Sequence, residues 1–112
     1  MAKWFQPSEI QGLQPELVEK LDLARDIAGV KFRITSGFRD PQHNEAVGGV
    51  KDSAHTKGLA VDIACPDAAT KFKMVTGLLQ AGFRRLGVYN FHIHADIDLS
   101  LPNPVLWTGE SH

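Results

Sequence analysis

The chain predicts an α+β fold, with helices packed on one face of a small, mainly antiparallel sheet. Three observations predict it. Apolar residues recur at helical spacing over residues 15–28 and 67–81. Four short segments, 31–36, 59–64, 84–89 and 91–98, read as strands. Helices and strands follow one another without the regular alternation of a parallel α/β sheet.

Each element has its own signal. Pro15 suits a first helical position, because its missing N–H has no helical partner there. Leu17, Leu21, Ala24 and Ala28 then form one stripe, and Gly29 is a plausible stop. Residues 31–36 alternate, and the segment 36–41 breaks that strand. A short helix over 42–47 follows Pro41 and ends at Gly48-Gly49, and 50–58 is small and polar, hence loop. Residues 59–64 form the second strand. Asp67 can cap the next helix, whose expected buried stripe is Ala68, Phe72, Val75 and Leu79, with Gly82 at its end. Two more strands follow. Residues 101–107 carry two prolines and read as a surface segment pinned by Leu106 and Trp107. Trp4, Phe5 and Trp107 read as packing anchors rather than a glycan platform, and His43 reads as a surface residue.

The 112 residues fit a single domain spanning 1–112. A domain of that size buries roughly 65% of the surface of its unfolded chain. An apolar content of 43% and a charged content of 22% are globular values and exclude disorder. Lys+Arg total 12 against 13 Asp+Glu, so bulk charge does not favour a nucleic-acid partner. No apolar run approaches the about 20 residues that span a bilayer, so membrane insertion is not expected. The first residues lack the apolar core of a signal peptide, and synthesis in the cytoplasm is expected. A single cysteine, Cys65, excludes an internal disulfide. It reads as a small apolar packing residue, the sharper alternative being a nucleophile paired with a histidine.

The chemistry concentrates on two strands and one loop. Side chains alternate faces along a strand, so Ile93, Ala95 and Ile97 share the core face. His92, His94, Asp96 and Asp98 then share the other. Two histidines with two aspartates, and no lysine, is an unusual way to fill a solvated face. Asp62 is the one acid in an otherwise apolar strand, beside the small Ala60 and Ala64. A buried carboxylate must be protonated, paired or on a metal. His55 lies in the loop feeding that strand, and Gly58 permits a sharp turn between them. His55, Asp62 and one of His92 or His94 would supply three N/O ligands, the pattern of a catalytic zinc with an open position.

Ser53-Ala54-His55-Thr56-Lys57-Gly58-Leu59-Ala60-Val61-Asp62 resembles the S-x-H-x-x-G-x-A-x-D motif of the M15 metallopeptidases. These are the zinc D-Ala-D-Ala carboxypeptidases and related phage L-Ala-D-Glu endopeptidases. Ser36-Gly37-Phe38-Arg39-Asp40-Pro41, with Asn44 and Gly48-Gly49, resembles the S-G-[YF]-R segment that precedes it. Gly87-Val88-Tyr89 and Phe91-His92-Ile93-His94-Ala95-Asp96 resemble the closing G-x-Y…H-x-D segment. The three segments fall in the family's order over about residues 34–98, and the likeness is greatest to small single-domain phage and prophage members.

The resemblance implies a hedgehog/D-Ala-D-Ala-peptidase-like fold and one zinc ion held by His55, Asp62 and His94. It implies that His92, first of an H-x-H pair, lies beside the reacting centre. Arg39 matches the arginine that steadies substrate or oxyanion, and Ser53 a substrate-contacting serine. Many members place an acid, the general base, three residues before the last zinc histidine. Phe91 stands there here, which leaves His92 or Asp96 as base; Asp96 can instead orient a histidine. The implied partner is a peptidoglycan peptide, met at the bacterial cell wall after phage-type release or from a virion, by a monomer. A non-catalytic zinc-stabilised module, such as a phage tail component, is the alternative, and a metal-free fold with a solvated polar face is a third.

Overall fold

Packing between helices decides which residues the core takes. The computed structural model describes residues 2–38 and 54–110. The expected helix at 42–47, and with it His43, Arg39 and Ser53, lies outside them. A one-turn helix, α1 (Pro7–Ile10), is closed by a reciprocal capping box between Gln6 and Glu9. Helix α2 (Pro15–Ala28) starts on its proline and ends at Gly29, which adopts the left-handed conformation at φ 69°. Its buried residues are Leu17, Leu21, Ala24 and Ala28, the stripe read from the sequence. Helix α3 (Ala68–Gln80) is capped by the Asp67 carboxylate, which accepts from the Thr70 N–H.

The buried face of α3 is not the expected one. Met74, Gly77 and Leu78 are inside, while Phe72 is 74% and Leu79 50% exposed. Gly77 explains the choice. A Cβ there would lie 2.5 Å from the Ala24 carbonyl oxygen and 2.9 Å from the Ala28 Cβ. The helices meet at a contact only a glycine admits, and that contact turns α3 so that Phe72 and Leu79 face outward.

Five strands, β1 (Ile34–Ser36), β2 (Ala60–Ala64), β3 (Arg85–Val88), β4 (His92–Asp96) and β5 (Val105–Thr108), form one sheet in the order β1-β2-β4-β3-β5. The sheet is mixed, not mainly antiparallel as expected, because β5 pairs parallel with β3. The segment read as a surface tail is therefore an edge strand. Leu106, expected to pin the segment, is 54% exposed; Trp107 is the half-buried side chain of β5. The connection between the parallel strands β3 and β5 is residues 89–104, with β4 inside it, and local patterning does not reveal where such a connection delivers its strand. Part of the expected loop 50–58 is a 3-10 turn, Ala54–Lys57.

Val61, Ile63, Leu86, Ile93 and Ala95 pack with Leu17, Leu21, Met74 and Leu78 in the core. The helices thus cover one face of the sheet and leave the other to polar side chains. Cys65 belongs to the core cluster, and burial pushes its thiol up. It packs as an apolar residue on the face away from the strand histidines. Phe5 is buried. Trp4 is anchored, its Nε1–H donating to Asp26 at 2.9 Å with the Arg25 guanidinium 4.2 Å from its ring. Among the described residues, no helix is long and apolar enough to cross a membrane.

Candidate metal centre

Strand register builds the polar face. Asp62 on β2 lies directly opposite His94 on β4, a relationship that brings Cβ atoms within about 5 Å. Of its small neighbours on β2, Ala60 is fully buried and Ala64 half-buried. His55 arrives from the 3-10 turn. The chain then bends at Gly58, at φ 72°, where a Cβ would lie 2.4 Å from the Gly12 carbonyl oxygen. Both the conformation and the close approach require glycine. The bend seats the His55 ring, which is buried, against Asp62.

Each ring nitrogen has an assigned task. His55 Nδ1 is 2.8 Å from the Gly37 carbonyl oxygen. A carbonyl only accepts, so Nδ1 carries the proton of that bond, and Nε2 is the nitrogen turned toward Asp62. That Nε2 is 3.6 Å from Asp62 Oδ2. His94 Nδ1 is 3.1 Å from Asp62 Oδ1, and its Nε2 donates to Asp96 Oδ2 at 2.7 Å. Asp96 is fully buried. Its Oδ1 accepts from Arg85 Nε–H at 2.8 Å and from the Asp98 N–H at 3.1 Å.

The electrostatics follow. Burial would raise the Asp62 carboxyl, but the imidazoles of His55 and His94 beside it hold it well below the usual carboxylate range. Burial would likewise lower His94, yet its bonds to Asp62 and Asp96 push it up to about 9. In the metal-free protein the two carboxylates thus hold a cation between them.

His55, Asp62 and His94 offer ligand atoms that all lie within 4.8 Å of one another. Small side-chain rotations would close them on an ion with bonds of about 2.0–2.2 Å. Two imidazoles and a carboxylate form a donor set that suits zinc, and the residues could hold a metal. Among the described residues no fourth histidine, cysteine or acid joins the group.

The other expected residues are placed differently. His92 stands outside the cluster, its ring stacked on Tyr89 at 4.4 Å and 7° between planes. Asp98 does not continue the row. β4 ends at Asp96, and Asp98 turns inward to an ion pair with Lys57 at 2.8 Å and a bond from the Ser100 hydroxyl. Phe91 sits in the two-residue turn between β3 and β4, 68% exposed. Arg39 and Ser53 lie outside the described residues.

Two neighbours of the site were not expected there: Arg85, and Trp107, which the sequence marks as a packing anchor. Arg85 faces Asp96 across the β3–β4 hairpin; counting back from the two-residue turn at Asn90-Phe91 would have found it. Trp107 donates its Nε1–H to the Tyr89 hydroxyl at 2.8 Å, and its ring centre is 5.5 Å from that of His94. No local signal places it there.

The model of the Peptidase M15 family matches residues 3–98, a span that runs from before α1 to just past β4. No curated protein matches the chain. The matched span is most of the chain and includes all three members of the cluster, and the chain belongs to the peptidase M15 family.

Proposed function

We propose that the protein is a zinc peptidase that hydrolyses peptide bonds in bacterial peptidoglycan stem peptides or cross-links, as carboxypeptidase or endopeptidase, on a hedgehog/D-Ala-D-Ala-peptidase-like fold. The observation that carries the reading is the convergence of His55, Asp62 and His94 at one point of the polar sheet face. Three protein donors of this kind are what a catalytic, rather than a structural, zinc takes, with water in the fourth position.

When bound, zinc would supply Lewis-acid polarisation and a water pKa lowered toward about 7. The chain's own residues do the rest. His55, Asp62 and His94 hold the ion. Asp96 orients His94 and takes no further part, because both its oxygens are engaged and it is fully buried. That leaves His92 as general base. It lies one pleat from His94 on the same strand face and is only partly buried. It takes a proton from the attacking water and returns it to the leaving amine. Arg39 and Ser53 contact the substrate, with Arg39 stabilising the developing oxyanion. The enzyme acts as a monomer at the cell wall, reaching it by phage-type release or as a virion component, with no nucleic-acid partner.

The exposed Phe91 favours one second reading, since it stands where a base is expected. That reading is a zinc-stabilised binding or structural module. Digestion of purified Gram-negative peptidoglycan with zinc-loaded protein separates the two. Fragments identified by mass spectrometry from the wild type, but not from His94→Ala, would support the peptidase and name the bond. A His92→Gln variant that binds zinc but cleaves about 10²–10⁴-fold more slowly would support the base. Folded wild type with stoichiometric zinc and no release would favour the module.

A further inference from the structure

We propose that Trp107, which β5 contributes from beyond the family match, is a positioning residue that holds both arms of the site. The inference rests on the peptidase reading above. One row of residues crosses the sheet at a single level. Asp62 on β2 faces His94 on β4, His94 faces Gly87 on β3, and Gly87 faces Trp107 on β5. A Cβ at Gly87 would lie 2.5 Å from Trp107 Nε1. The absent side chain is the space through which the indole reaches His94.

From that place Trp107 touches two chains of contacts. Its Nε1–H donates to the Tyr89 hydroxyl at 2.8 Å, and the Tyr89 ring stacks on His92. Its ring also lies under the Arg85 guanidinium, 5.2 Å from the ring centre, and Arg85 binds Asp96, which binds His94. One arm therefore ends at the histidine proposed as base, the other at a histidine of the metal cluster. Val105, Leu106 and Thr108 are exposed, so Trp107 is the half-buried side chain of β5. Tyr89 and His92 adjoin the hairpin turn with its exposed Asn90 and Phe91. The bond to the indole fixes the Tyr89 ring plane there, and the stack fixes His92.

A tryptophan that only fastened an edge strand would not set the plane of His92, and this separates the two roles. The variants are Trp107→Phe, Tyr89→Phe and their combination, in the full zinc-loaded chain. Ring-proton shifts of His92 are read by aromatic NMR, independently of turnover. The wild type shows the upfield shift of a stacked ring, and either variant moves it back toward free histidine. Against peptidoglycan, kcat falls about tenfold in each single variant with KM within about twofold, and the double variant loses no more than either single. Unmoved His92 shifts, or losses that multiply in the double variant, overturn the inference. If Trp107→Phe does not fold, the shifts in Tyr89→Phe decide, because that change keeps both rings. Should the wild type cleave nothing, the peptidase reading fails while the NMR comparison still decides the positioning.

Discussion

The two nitrogens of His94 are divided between two carboxylates, Nε2 donating to Asp96 at 2.7 Å and Nδ1 facing Asp62 at 3.1 Å. The bond to Asp96 fixes the ring so that Nδ1 is the atom offered to the cluster. Such outer carboxylates raise ligand basicity and hold ring orientation. Asp96→Asn should lower metal affinity about 10–100-fold, measured by competition with a chromogenic chelator. Affinity equal to wild type would show that Asp96 does not tune His94 as a ligand.

Metal binding should release a proton. His94 is pushed up to about 9 by its two carboxylates, so at neutral pH it is protonated on both nitrogens in the metal-free protein. An ion needs Nδ1 bare and must displace that proton. Apparent zinc affinity should then rise with pH up to about 9. Calorimetry at pH 7.5, in buffers of different ionisation enthalpy, should show about one proton released per zinc. The sign for stability is the reverse. A raised histidine stabilises the metal-free fold fully below its ordinary value of 6.5, and that contribution fades as pH rises through about 9. No proton release would mean that His94 does not join the ion through Nδ1.

Gly77 is a point of close approach between α2 and α3. Alanine favours a helix over glycine by about 1 kcal/mol, so propensity alone predicts a more stable Gly77→Ala protein. The Ala24 carbonyl at 2.5 Å from the new Cβ predicts the opposite. Forcing the helices apart should cost about 1–3 kcal/mol, read as a lower urea midpoint with unchanged zinc stoichiometry. A raised midpoint would show that the helices separate freely.

Asp98 gives the fold an acid-sensitive contact beside the site. Burial would raise its carboxyl, but bonds from Lys57 and Ser100 hold it below the ordinary range. A depressed carboxylate stabilises the protein above its unfolded value, near about 4, and that contribution is lost as pH falls toward the folded value. Lys57 lies two residues after His55, so the pair ties down the turn that carries His55. Asp98→Asn should lower stability at pH 6 and narrow the loss between pH 6 and pH 3. Equal pH dependence in variant and wild type, from urea unfolding at both values, would remove Asp98 as the cause.

Much of this was legible along the chain because it follows from local geometry. The period of α2 and its left-handed stop at Gly29 come from residues within one helix. The alternation of β4, with Ile93 and Ala95 inward and His92 and His94 outward, follows from the two-residue repeat of any strand. Asp62 among apolar neighbours, with His55 one turn upstream, marked a polar point on the sheet. What could not be read there depends on residues distant in sequence. Whether His92 or His94 faces Asp62 is a matter of register between β2 and β4, and the sheet sets His94 there. Which face α3 buries depended on Gly77 meeting Ala24, not on where its largest apolar side chains fall. Asp98 left the row because β4 ends two residues earlier and Lys57 draws the carboxylate inward.

The sequence by itself determined the candidate chemistry: which side chains can bind a metal or move a proton, and which face of each strand they share. Only the tertiary structure decided how those groups are oriented. Asp96 is turned to His94 by its place between Arg85 and the ring, and Trp107 reaches the site through a crossover that brings β5 beside β3. Residue type and strand period are properties of neighbours in the chain, whereas register, crossover and side-chain orientation are settled by packing between parts of the chain that are far apart.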